Sequence, residues 1–109
     1  DRLNAILNQR SQDMLTANNW NVVQYAALTM MFAQVSGLKP GEFIHVIADA
    51  HIYDRHVPIC RELFEKPRYA APKFTMNPDV KDFYRFTVDD FALEDYKFSP
   101  LDKKIEVAV

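Results

Sequence analysis

The stretch NWNVVQYAALTMMFAQVSGL, Asn19 to Leu38, narrows the folds open to this chain more than any other. Val22, Ala26, Met30 and Ala33 recur at helical spacing, while Val23, Leu28, Met31, Phe32 and Val35 fill the other sides. The pattern predicts a long helix that is apolar on most faces, and such a helix is a buried one. Asn19 is placed to cap its start, and Gly37 sits where a left-handed residue ends a helix. Before it, LNAILNQRS alternates, with Leu3, Ala5 and Leu7 on one face and Asn4, Ile6 and Asn8 on the other. Period two predicts a strand, and the mixed second face is not one simply left to solvent. After it, KPG reads as a turn. EFIHVIAD then reads as a near-continuous apolar strand, the kind covered on both faces.

Downstream, Asp54 is placed to cap a short helix through RHVPICRELFEK, with Pro58 confined to its first turn. PRYAAP breaks that helix, and KFTMN reads as a short strand. NPDVKDFYRFTVDDF is turn-rich and anchored by Phe83, Tyr84, Phe86 and Phe91, after which ALEDYKF alternates again. Helices and strands mix without a strict βαβ rhythm and without internal repeats, which favours an α+β fold. At 109 residues and 49% hydrophobic, the chain suits one unit, residues 1–109, with a modest core.

Several function classes have little support. A net charge of −2 offers no basic stripe for nucleic acid. No apolar run approaches the roughly 20 residues of a membrane span, and no secretory signal opens the chain. Cys60 is the single cysteine, so no internal disulfide framework exists and a reducing cytoplasm is expected.

The chemistry-bearing residues gather in three places. In IADAHIYDRH, Ile47 to His56, Asp49, His51 and Tyr53 project to one face of an extended strand. Asp49 and His51, with His56, could supply metal ligands. Neither HExxH nor paired CxxC accompanies them, so polar residues at a strand end that meet a ligand or each other are the better reading. In NQRSQD, Arg10 and Ser11 offer a guanidinium fork and a hydroxyl that suit a phosphate or carboxylate. Read by chemistry alone, Arg10 paired with a surface carboxylate and Ser11 starting a turn is simpler. Asn21, past the helix cap, is a poor helix residue unless its amide has a partner. An amide carries donors and an acceptor, which match the imide-like edge of a pyrimidine. Cys60, beside Arg61 and near His56, could form a thiolate, but within VPICRELF a small core residue is the simpler role.

Taken in order, these segments resemble thymidylate synthase. That family carries a QRSxD run, here Gln9 to Asp13, an asparagine eight residues on, here Asn21, and a DxHxY strand, here Asp49 to Tyr53. PRYAAPKFTMN is similar to its PRPxPKxxI segment, FTVDDFALEDYKF to its FxxxDFxLxxY segment, and the closing VAV to its apolar tail. The resemblance implies the C-terminal portion of that fold, a mixed sheet with a long buried helix. It implies a cytoplasmic homodimeric methyltransferase that makes dTMP from dUMP with 5,10-methylenetetrahydrofolate as co-substrate, without a metal. Arg10 and Ser11 would hold the dUMP phosphate, and Arg10 would help position the nucleophile. Gln12 and Asp13 would bound the same pocket, with Asp13 toward the folate pterin. Asn21 would read the uracil edge, and His51, Ile52 and Tyr53 would form the ribose-binding strand end. Ala108 and Val109 would close over the folate. The family's dimer packs one sheet against another, which would account for apolar residues on both faces of LNAILNQRS.

Three departures stand out. The family's nucleophilic cysteine lies in a Pro-Cys-His run on the preceding strand, and no such run occurs here. Cys60 lies on the wrong side of DAHIY to replace it, so these residues alone are expected to be inactive. LTANNW replaces a run such as LGLPF along the folate edge, and Ile47-Ala48 stands where many members have Gly-Gly. These leave open a relative that hydroxymethylates pyrimidine nucleotides. Other readings are a non-catalytic dUMP-binding domain and an interaction module.

Overall fold

The computed structural model describes residues 1–107. Strand β1, Arg2–Asp13, pairs in parallel with β2, Lys39–His51, and helix α1, Asn18–Val35, is the crossover between them. A parallel pair cannot be closed by a tight hairpin, so the long apolar helix is what makes this pairing possible. A 3-10 turn over Asp54–His56 leads into helix α2, Val57–Glu65. Strands β3, Lys73–Met76, and β4, Phe91–Glu94, then pair antiparallel as a separate two-stranded sheet. The α+β class is therefore the observed one, with one βαβ unit inside it. The described strands form two small sheets rather than one mixed sheet.

Alternation along β1 and β2 gives the parallel sheet two different faces. Leu3, Ala5, Leu7 and Phe43 meet Tyr25, Leu28, Thr29 and Phe32 of α1 around an apolar cleft. On the other face, Ile6, Ile44 and Val46 remain 64%, 43% and 49% exposed. The expectation that β2 is covered on both faces is thus corrected, because a two-stranded sheet with one helix has only one covered side.

Helix α1 is corrected in the same way. It is long, but only Thr29 and Ala33 are buried, and Trp20 and Val23 are about two-thirds exposed. The sheet covers one side, and β3–β4 leaves a groove where Val23, Ala26 and Met30 face Pro72, Phe74 and Leu93. No further layer among the described residues covers the rest. The helix ends as expected. Gly37 takes φ +69°, its N–H donates to the Gln34 carbonyl at 3.1 Å, and the Leu38 N–H donates to the Ala33 carbonyl at 2.8 Å. These paired bonds satisfy carbonyls the helix leaves over.

The starts of the helices differ from expectation. The cap position of α1 is Ala17, with Asn19 already inside the helix. Asp13 does the capping work one turn earlier, accepting from the Leu15 and Thr16 N–H groups at 3.0 and 3.1 Å. Asp54 lies in the 3-10 turn and caps nothing with its side chain, and Pro58 sits in the first turn of α2 where it displaces no helical bond. Lys66 is extended at ψ 151°, as a residue before proline must be, and α2 stops there.

The turn-rich segment docks on the end of α1. The Gln34 amide donates to the Asn77 and Val80 carbonyls, both at 2.9 Å, and Phe32 stacks on Phe83 at 4.8 Å. Asp90 holds the loop shut, accepting from Asn77 Nδ2 and from the Thr87 N–H, each at 2.8 Å.

Candidate nucleotide site

Several of the expected site residues lie at the carboxyl ends of the two parallel strands. Ser11 pairs in register with Asp49, and Asp13 with His51. The Met14 N–H donates to the His51 carbonyl at 3.0 Å, so the loop leaving β1 is pinned to the end of β2. Asn21 lies in the first turn of α1. Crevices outside the carboxyl ends of parallel strands are where sheets of this kind receive ligands, because the loops diverge there.

One hydrogen-bonded chain spans the covered face of this unit. Gln9 Nε2 donates to the Ser11 carbonyl at 3.0 Å and to Asn21 Oδ1 at 3.2 Å. His45 Nε2 lies 2.8 Å from Gln9 Oε1. A backbone carbonyl only accepts, so Ser11 fixes which end of the Gln9 amide is nitrogen. His45 Nε2 must then donate, and Asn21 must present its oxygen to Gln9. That leaves Asn21 with its Nδ2 donors and one free lone pair on Oδ1.

Asp13 is held firmly. Beyond the two N–H groups, its Oδ2 accepts from the Thr16 hydroxyl at 2.6 Å. Partial burial pushes its carboxyl up. The Thr16 hydroxyl, the Thr16 and Leu15 N–H groups and nearby His56 outweigh that and hold the pKa below its usual value.

Across the crevice, three rings stand edge to face in a row. His51 meets Tyr53 at 5.3 Å, Tyr53 meets His56 at 5.7 Å, and the Arg55 guanidinium lies 5.8 Å over the Tyr53 ring. Edge-to-face contacts of this kind suit the aromatic quadrupole and fix ring orientation. His51 Nδ1 also lies 3.5 Å from the Asp49 carboxylate. His56 is buried, and its Nε2 donates to the Glu106 carbonyl at 2.8 Å.

The profile of the thymidylate synthase family matches residues 1–109, the whole chain. The chain belongs to the thymidylate synthase family. The thymidylate synthase of Bacillus phage phi3T is 46% identical over 109 residues, a match that takes in 99% of this chain and 38% of that protein. The thermostable thymidylate synthase A from Bacillus subtilis superposes with a TM-score of 0.89 at 45% identity, covering 94% of this chain and 36% of that one. The chain thus spans little more than a third of the length of the thymidylate synthases it matches.

Not every expected site residue of this thymidylate synthase segment faces the same way. Ser11, Asp13, His51 and Tyr53 stand at the carboxyl ends of β1 and β2, Gln9 links the Ser11 backbone to Asn21, and Ile52 is exposed between His51 and Tyr53. Arg10 projects to the opposite face of β1 from Ser11, beside Asn8, Val46 and Ala48, and makes no ion pair among the described residues. Gln12 is turned inward and 1% exposed, with its amide donating to the Asp13 carbonyl at 3.2 Å. Ala108 and Val109 lie outside the described residues. Among the described residues, no group of three or more His, Cys, Asp or Glu could hold a metal ion, and no helix is long and apolar enough to cross a membrane. Cys60 is half-buried in α2.

Two residues of the hydrogen-bonded chain are not among the sequence-based candidates, namely Gln9 and His45. Their signal was present. Each is a polar side chain at an apolar position of a period-two pattern, Gln9 following Leu7 and His45 following Phe43.

Proposed function

We propose that this segment forms the nucleotide-reading part of a thymidylate synthase, which methylates dUMP to dTMP with 5,10-methylenetetrahydrofolate. The observation that carries the reading is the fixed Asn21 amide at the mouth of the crevice. Its Nδ2 suits the uracil O4 and its Oδ1 suits the uracil N3–H, a pair that a cytosine edge reverses. His51 and Tyr53, kept in place by the edge-to-face row, meet the ribose hydroxyl. The Ser11 hydroxyl takes the phosphate, whereas Arg10 projects to the opposite face of β1. Asp13 Oδ2 keeps acceptor capacity beyond its Thr16 bond, enough for an N–H of the pterin ring.

The covalent step on the pyrimidine requires a thiolate. No Pro-Cys-His run is present in this segment, so its own contribution is binding and orientation. The exposed Ile6, Ile44 and Val46 face supports assembly as a homodimer through the parallel sheet. The family's general habit supports a cytoplasmic location.

The test is an Asn21→Asp exchange in the intact protein, with dUMP and dCMP affinities measured by titration calorimetry. An aspartate presents acceptors to the cytosine amino group, so dUMP is expected to weaken by at least about tenfold while dCMP gains relative to it. An unchanged ratio of the two affinities would remove Asn21 from the base-reading role.

A further inference from the structure

An asparagine amide is ambidextrous. Rotated by half a turn it offers Oδ1 where Nδ2 stood, and the edge that reads uracil then reads cytosine equally well. Discrimination by Asn21 therefore requires something that forbids the turn. The Gln9 amide supplies it by donating to Asn21 Oδ1 at 3.2 Å, since a turned Asn21 would bring two NH₂ groups together. Gln9 can turn as well, and two groups hold it. The Ser11 carbonyl takes its nitrogen at 3.0 Å, and His45 Nε2 meets its oxygen at 2.8 Å. The His45 contact is the one supplied by a side chain. His45 is anchored in the middle of β2, on the covered face, with its ring 6.0 Å from Phe43.

We infer that His45 is a positioning residue that, acting through Gln9, locks the Asn21 amide in the sense that reads uracil and refuses cytosine. It rests on the proposed base-reading role of Asn21. His45 acts through Gln9, whose side-chain oxygen its Nε2 meets at 2.8 Å. Its effect is on the ratio of affinities rather than on the chemical step.

The arrangement dictates the test. In the intact protein, His45→Leu removes the donor while keeping an apolar side chain, and His45→Gln keeps an N–H donor near the same place. The probes are dUMP and dCMP, with affinities measured side by side. His45→Leu is expected to cut the dUMP-over-dCMP preference by about tenfold, the size of one lost charge-neutral lock. His45→Gln is expected to restore most of it. A preference unchanged in His45→Leu overturns the lock, as does a preference lost equally in His45→Gln. A measurement without mutation guards against misfolding. The ¹⁵N spectrum of the histidine ring should show His45 protonated at Nε2, and a neutral ring carrying its proton on Nδ1 alone also overturns the lock. Asn21→Asp separates the two levels of the argument. If it leaves the preference untouched, the base-reading role itself has failed. If it shifts the preference while His45→Leu does not, only the lock has failed.

Discussion

Asp13 shows how one side chain shapes both the fold and the crevice. It ends β1, caps the turn before α1 and stands at the crevice mouth with both oxygens engaged. Because its folded-state carboxyl is held below the usual value of 3.8, its stabilising effect is fully present above the unfolded carboxylate range. That effect is lost as pH falls through the lowered value. Replacing Asp13 with Ala is expected to cost roughly 1 kcal/mol at neutral pH, the usual worth of such a cap. The difference from the parent should begin to shrink below about pH 4, where the unfolded-state carboxylate protonates, and go on shrinking as pH falls through the lowered folded value. Thermal melts from pH 7 down to pH 3 check this, and a difference that grows toward low pH contradicts it. At this scale part of the arrangement was legible. Ser11 and Asp13 stand in register with Asp49 and His51 at one end of the sheet, and His51 and Tyr53 meet edge to face there. What stayed hidden was the partner of the Asn21 amide, because Gln9 and His45 are brought to it by strand register, and register is not written in any single segment.

Each element carries its own reason for starting and stopping, and those reasons were unevenly visible. Gly37 announced the end of α1 because a left-handed residue there has few alternatives. Asn19 offers a good cap side chain, but α1 already starts at Asn18 behind Ala17, and the Asp13 carboxylate caps the turn before it. The long apolar run of α1 was read as burial on all sides, yet periodicity counts apolar residues without saying how many layers will cover them. ALEDYKF alternates in sequence, but only Phe91–Glu94 is strand, and Asp95 with φ 58° turns the chain out of the sheet. A Gly37→Ala exchange isolates one of these effects. A Cβ at Gly37 meets nothing within 4 Å, so the cost is backbone strain alone, about 1 kcal/mol. Chemical denaturation should show a lowered midpoint with an unchanged slope. A changed slope would mean that the exchange altered more than the helix end.

Among the described residues, a βαβ unit carries the candidate site at one end and an apolar sheet face on the far side, with α2 and the β3–β4 sheet beside it. Ile6, Ile44 and Val46 on that face are too exposed and too close together to be ordinary scattered surface residues, and the proposed homodimer covers them. An Ile44→Lys exchange in the intact protein is expected to shift light-scattering mass from dimer toward monomer. A mass that stays at the parent value would show that another surface carries the assembly. The crevice end is also where the later chain returns, because His56 holds the Glu106 carbonyl beside Tyr53. Base reading, sugar contact and the approach of the C-terminal segment therefore share one end of the fold in the proposed reading.

The most direct test of that reading is to follow the backbone and side-chain amide signals of the intact, isotope-labelled protein as dUMP is added. The expected result is a saturable shift of the Asn21 side-chain amide together with Ser11, His51 and Tyr53. Lys39 and Asn4, at the other end of the parallel sheet, should stay still. Shifts confined to that other end, or none at saturating dUMP, would contradict the crevice as the nucleotide site.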